Sequence, residues 1–295
     1  MSTLTVLDAP SNLGLRPSAA GEAPGCRQLP AALRAQGLLA RLGATDAGAV
    51  TPPDYHDYGW RPGDGVRHSA EIAGYSRRLA DRLGSLQGSG HVPLVLGGDC
   101  SILLGVMLAL RRRGRFGLVC LDGPDFRHPG NSPHVGGAAG ESLALVTGRG
   151  SPDLADIDRL APYLRDQDVT LIGCRDDDEF RTEAEQTFHT VRAAEVATAG
   201  PAAVVRAALA RLRDPALAGF WVHLDADVLD PSVMPAVDTP EPGGLNHDQL
   251  RALLTPLLAA PGWVGLDVTI YDPTRDPDGT AGVALTETLV TALGS

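Results

Sequence analysis

The chain carries a set of short, continuously apolar runs that stop abruptly on glycine or aspartate, and these runs limit its fold more than any other feature. VPLVLGG (92–98), FGLVCLD (116–122), VTLIGCRD (169–176), FWVHLDAD (220–227) and WVGLDVTIYDP (263–273) are of this kind. Runs this short and this apolar predict strands buried on both faces. Between them lie segments with apolar residues at helical spacing: 29–43, 67–86, 101–114, 201–214, 247–260 and 280–294. LTVLDA (4–9) predicts a further strand, and SLALVTGRG (142–150) is ambiguous. Strands alternating with helices predict an α/β fold with a mainly parallel sheet covered on both faces. No repeat or long linker divides the chain, so 1–295 reads as a single domain.

Composition narrows the function. Hydrophobic residues make up 43% of the 295 and aromatics only 4%, so a sizeable core rests on Ala, Val and Leu. The net charge of −11 makes the chain a poor partner for nucleic-acid phosphates. No apolar run approaches the ~20 residues of a membrane helix. The N-terminus has no basic stretch before an apolar core, so the expected location is the cytoplasm, away from membranes. All 25 basic residues are Arg. The absence of Lys excludes a pyridoxal phosphate Schiff base and a P-loop. Cys26, Cys100, Cys120 and Cys174 are far apart, without the paired spacing of a thioredoxin-like or structural zinc site.

Loops after parallel strands cluster at the carboxyl edge of the sheet, where ligands bind. Four predicted strand ends finish on unusual residues: Gly97-Gly98-Asp99-Cys100-Ser101, Asp122-Gly123-Pro124-Asp125, Arg175-Asp176-Asp177-Asp178 and Asp225-Ala226-Asp227. Carboxylates gathered at one edge need a counter-charge, either a metal ion or a cationic substrate. Side-chain alternation places His223, Asp225 and Asp227 on one face of their strand.

These motifs resemble those of the arginase/agmatinase (ureohydrolase) family. VLGGDCS (95–101) resembles its GGDHS segment, VCLDGPDF (119–126) its strand followed by DAHxD, and GLDVTIYDP (265–273) its GLDxxExNP segment. WVHLDADVLDPSVMPAVDTPEPGGL (221–245) resembles its SxDxDxxDPxxxPxxGTPxxGGL run, and LGLRPSAAGEAPGCRQLPAALRAQGLL (13–39) its N-terminal segment. The resemblance implies a three-layer αβα fold with an eight-stranded parallel sheet, and a trimer or hexamer. It also implies a pair of manganese ions that direct water at a guanidinium carbon.

Matched position by position, Asp122, Asp225 and Asp227 keep family ligands. Cys100, Pro124 and Phe126 stand where the other three would be, and Ile270 replaces an acidic residue. Asp122, Asp225, Asp227 and His134 are therefore the catalytic candidates. His134 is the counterpart of the loop histidine that reaches the substrate. Asp178 and Thr239 are the substrate-binding candidates, with Asp238 adding charge beside Thr239. Asp122, Asp225, Asp227, His223 and Cys100 are the candidate metal ligands. His223 stands where the family has a small residue. Cys100 is a soft donor that suits zinc or iron better than manganese, and Asp125 and His128 lie in the altered loop. The cofactor is manganese, another divalent metal, or none. Three readings stay open: a C–N hydrolase of a guanidino or related cationic small molecule with an atypical or single-metal site; a metal-free homologue that uses Asp/His chemistry or acts as a silent partner; and a protein that binds such a cation without turnover.

Overall fold

The computed structural model describes residues 3–18, 21–57, 59–123, 126–133 and 136–294. The sheet comprises β1 (Thr3–Asp8), β2 (Thr45–Ala49), β3 (His91–Leu96), β4 (Gly117–Leu121), β5 (Val169–Cys174), β6 (His189–Arg192), β7 (Phe220–Asp225) and β8 (Trp263–Thr269). Their spatial order is β2-β1-β3-β8-β7-β4-β5-β6, and every neighbouring pair is parallel. The eight-stranded α/β sheet is the expected one.

Side-chain alternation divides the core between the two faces. Leu94, Leu96, Val119, Leu121, Val222 and Leu224 join a cluster with residues of the helices His247–Leu258 and Thr280–Leu293. Val95, Leu118, Cys120 and Trp221 point the other way, to the helices Ser69–Gly88 and Ile102–Arg111. The three layers of the αβα fold follow directly. Two strands that pattern alone does not predict, β2 and β6, are the edge strands. Their sequences, TDAGA and HTVR, carry no apolar run because one side meets solvent. The helical segment 29–43 is two helices, Leu29–Ala35 and Leu38–Leu42, broken at Gly37 with φ +77°. The ambiguous stretch 142–150 begins with a buried helix, Ser142–Val146.

The order puts β3, β8, β7 and β4 at the centre, so their carboxyl ends open side by side. The backbone approaches closely there: Asp99 N–H donates to Ser11 O at 3.0 Å and Ile270 N–H to Gly98 O at 2.6 Å. Ile270 has φ +73°, which is strained for a β-branched residue. Such strain persists only where the surrounding structure over-determines it, and it concentrates at functional sites. Asp99 is fully buried and organises this edge, accepting from Ser11 Oγ, Gly14 N–H and Ser101 N–H.

Glu141 precedes the helix Ser142–Val146 and is 3% exposed. It lines a cavity with Pro133 and Gly136. Burial raises its carboxyl to a pKa of about 7, above the ordinary 4.5. The folded state therefore binds this proton more tightly than the unfolded chain. Stability falls as pH rises from about 4.5 to about 7 and then levels off. Glu141→Gln is expected to stabilise the protein by about 1–2 kcal/mol at pH 8, allowing for solvent in the cavity, and by little at pH 5. Urea denaturation at the two pH values checks this, and an equal effect at both contradicts it.

Candidate active site

The ends of the four central strands bring the predicted carboxylates together. Asp225 is the last residue of β7, and Asp227 follows in the one-turn helix Ala226–Val228. Asp122 follows β4 directly, and Cys100 lies in the turn between β3 and the helix Ile102–Arg111. Asp122, Asp225 and Asp227 offer carboxylate oxygens that all lie within 4.8 Å of one another. The same distance encloses one donor atom each from Cys100, His223 and Asp225, and one each from Cys120, Asp122 and His223.

Hydrogen bonds fix this floor. Cys100 Sγ donates to Asp225 Oδ2 at 2.7 Å and lies 3.0 Å from Thr269 Oγ1. Asp225 Oδ1 accepts from the Asp227 N–H at 2.8 Å, and Asp227 Oδ1 from the Gly123 N–H at 3.0 Å. Arg175, 2% exposed, supports the loop from beneath. Its guanidinium donates to Gly173 O and Asp227 O at 2.7 and 2.6 Å. His223 is 0% exposed and sits mid-strand, in register with Asp267 of β8 and Cys120 of β4. Its Nδ1 lies 2.5 Å from Asp267 Oδ2, and Trp221 Nε1–H donates to Asp267 Oδ1 at 2.5 Å. Its Nε2 is buried without a hydrogen-bond partner among the described residues. Such an orphan group ordinarily costs about 1–3 kcal/mol.

The electrostatics follow from burial. Burial, then Asp227 and Asp122, pushes the Asp225 carboxyl well above the usual carboxylate range. Burial also raises Asp227. The Cys100 thiol is raised first by burial, then by Asp225 and Asp122, so it rests protonated against Asp225. Asp238 is raised to about 6, by burial first and Asp227 second. Like charges this close resist full ionisation unless a cation joins them.

Above the floor lies a cavity of about 480 Å³. Cys100, Asp225, Asp227, Asp238, Thr239 and Ile270 line it. Arg16, Arg127 and Arg275 also line this cavity. A larger hollow of about 660 Å³, between Thr147, Arg165, His189 and Arg211, lies away from this edge and is wide open to solvent.

The remaining predicted residues divide. Thr239 lines the cavity and donates to Asp238 Oδ2 at 3.2 Å. Asp178 instead borders an adjoining cavity with Arg127 and Glu241, where it accepts from the Phe180 N–H at 2.8 Å. Phe126, 1% exposed, packs edge-on against Phe188 with ring centroids 4.7 Å apart. His128 is engaged with Glu183 at 2.8 Å. His134, Pro124 and Asp125 lie outside the described residues. Pattern reading passed over Asp267, yet its signal is in the sequence. An aspartate inside the buried run VGLDVT needs a partner, because unpaired charge is rarely buried so deeply.

The family model for the arginase family matches residues 6–293. An arginase of Brevibacillus brevis is 26% identical over 303 residues, covering 96% of this chain and 95% of that protein. An arginase of Bacillus caldovelox is 30% identical over 226 residues, covering 75% of each. The crystal structure of the Bacillus caldovelox arginase superposes with a TM-score of 0.87 at 26% identity, covering 100% of this chain and 99% of that one. Members of this family use divalent metal, typically manganese. The sheet, the order of its strand-end motifs and the convergence of Asp122, Asp225 and Asp227 all agree with the match over nearly the whole length, and the chain belongs to the arginase (ureohydrolase) family.

Proposed function

We propose that the chain, as one arginase-like domain over 1–295, hydrolyses a C–N bond of a guanidino or related cationic small molecule in the cavity above Asp122, Asp225 and Asp227. The observation that carries this reading is the buried carboxylate trio, two of whose members, Asp225 and Asp227, border an open cavity. Like charges held this close favour a bound cation, and the chain's relatives include arginases. In the reaction, water's oxygen ends on the guanidino carbon, the C–N bond breaks and the leaving nitrogen takes a proton.

The donor set does not fit a pair of manganese ions. Phe126 is buried in an aromatic contact and Ile270 is apolar. The thiol of Cys100 is a soft donor. Two such ions need about six oxygen or nitrogen ligands each, with bridging carboxylates between them. The residues do fit one divalent ion, with Asp225 among its ligands. Such an ion would polarise the substrate and lower the pKa of bound water.

The chain's own residues do the rest. Asp238 is largely ionised at neutral pH and, with Thr239, would draw and orient the cationic group. Arg16, Arg127 and Arg275 would favour a substrate carrying a carboxylate at its outer end. Asp178 would reach only a substrate long enough to enter the adjoining cavity. His134 is the counterpart of the family's substrate-facing histidine. A trimer or hexamer and a cytoplasmic location belong to the same proposal. Four free, buried cysteines suit a reducing compartment, and among the described residues no single helix is long and apolar enough to cross a membrane.

A second reading is a metal-free homologue that binds the cation without turnover. The thiol–carboxylate contact between Cys100 and Asp225 favours it, because that contact closes the floor without an ion. A panel of guanidino and amidino acids, assayed for urea and amine release with and without divalent metal, separates the two. The account predicts turnover of at least one carboxylate-bearing member. Saturable calorimetric binding without product supports the second reading, and neither binding nor product removes both.

A further inference from the structure

We infer that the floor of the cavity is a single-ion site of the zinc type, with Cys100 Sγ, His223 Nε2 and Asp225 as ligands and Asp267 as the residue that positions His223. The inference deepens the proposed function and rests on it only in sharing the cavity.

His223 is held at one ring nitrogen and open at the other. Its Nδ1 is 2.5 Å from Asp267 Oδ2, and the other oxygen of that carboxylate takes the Trp221 indole N–H. A carboxylate accepts hydrogen bonds, so the ring carries its proton on Nδ1. Nε2 then has its lone pair available, and it is buried with no hydrogen-bond partner among the described residues. A carboxylate holding the far nitrogen of an imidazole is the usual support of a metal-ligating histidine, because it fixes both tautomer and ring orientation. The cross-strand register enforces the arrangement, since His223 faces Asp267 directly.

The other donors are already gathered. A ring nitrogen of His223, Cys100 Sγ and an Asp225 oxygen all lie within 4.8 Å of one another. A four-coordinate zinc ion has bonds of about 2.0–2.3 Å, which sets its ligand atoms roughly 3.3–3.8 Å apart. The 2.7 Å contact between Cys100 and Asp225 must open, by roughly 1 Å. On binding, Cys100 gives its thiol proton to solvent and coordinates as thiolate, while Asp225 exchanges that hydrogen bond for the ion. Cys100 and Asp225 both border the cavity, so a fourth position can face it. Thiolate and imidazole select zinc, whereas manganese prefers oxygen donors. Cys120, in register with His223 on its other side, is the competing thiol.

The full chain is purified without added metal and dialysed against equal zinc and manganese. Elemental mass spectrometry then gives the stoichiometry. Cobalt is loaded in parallel, and the near-ultraviolet sulfur-to-cobalt absorption is recorded for the parent, Cys100→Ser and Cys120→Ser. Circular dichroism confirms that each variant is folded. The inference predicts one zinc per chain, at least about tenfold less manganese, and a sulfur band lost in Cys100→Ser but kept in Cys120→Ser. Asp267→Asn should weaken zinc binding about 10–100-fold by chelator competition while keeping the sulfur band. Two manganese ions per chain, no retained metal, or a cobalt spectrum without a sulfur band overturns it. A band lost only in Cys120→Ser overturns the assignment of Cys100. A zinc-loaded chain that cleaves no guanidino compound contradicts the proposed function and leaves this site standing. Turnover with manganese and no sulfur band does the reverse.

Discussion

Asp225→Asn is expected to lower kcat/KM for a guanidino substrate by about 10²–10³-fold while leaving the protein folded and at least as stable. The two effects have one cause. Asp225 is fully desolvated beside Asp227 and Asp122, so its negative charge is unfavourable until a cation arrives. The amide oxygen of Asn can still accept from the Asp227 N–H, which preserves the short turn after β7. The charge is gone, however, and with it the attraction for metal or guanidinium. At neutral pH, removing a buried charge that repels its neighbours should hold or raise the melting temperature. Lower activity with unchanged or greater stability separates a functional carboxylate from a structural one. Activity within about twofold of the parent contradicts the role, as does a variant that fails to fold.

Gly98→Ala is expected to destabilise the protein by about 4 kcal/mol or more, or to prevent folding. A Cβ at this position would lie 1.6 Å from Ser11 O and 2.7 Å from Ser11 C. Both are backbone atoms, so no side-chain rotation relieves the clash. The chain after β1 and the turn after β3 meet here. The Asp99–Ser11 and Ile270–Gly98 backbone hydrogen bonds would have to break or stretch. Cys100 rides on the same turn, so any variant that does fold should also have a displaced thiol. Urea denaturation measures the effect, and a loss below about 1 kcal/mol would mean the strand ends are not held this tightly.

The central strands were legible because their burial leaves a continuous apolar signature, as in VPLVL and FGLVCL. β2 and β6 were not, because an edge strand need not be apolar. The convergence of Asp122, Asp225 and Asp227 was legible from strand ends alone, since parallel strands share a carboxyl edge. The role of His223 was only half legible. Alternation gives its face, but its partner Asp267 lies 44 residues away and is set by the β7–β8 register. The place of Asp178 depends on loop path rather than periodicity. Its carboxylate accepts from the Phe180 N–H and borders the adjoining cavity.

The most direct test is hydrolysis in water enriched in the heavy oxygen isotope, with the responding guanidino substrate and product analysis by mass spectrometry. The account predicts that the isotope enters the carbon-containing fragment released from the guanidino group, and that Asp225→Asn lowers product and label together by about 10²–10³-fold. A product formed without the label, or a chain that binds the cation and releases nothing under any metal, would contradict hydrolysis at the carboxylate floor.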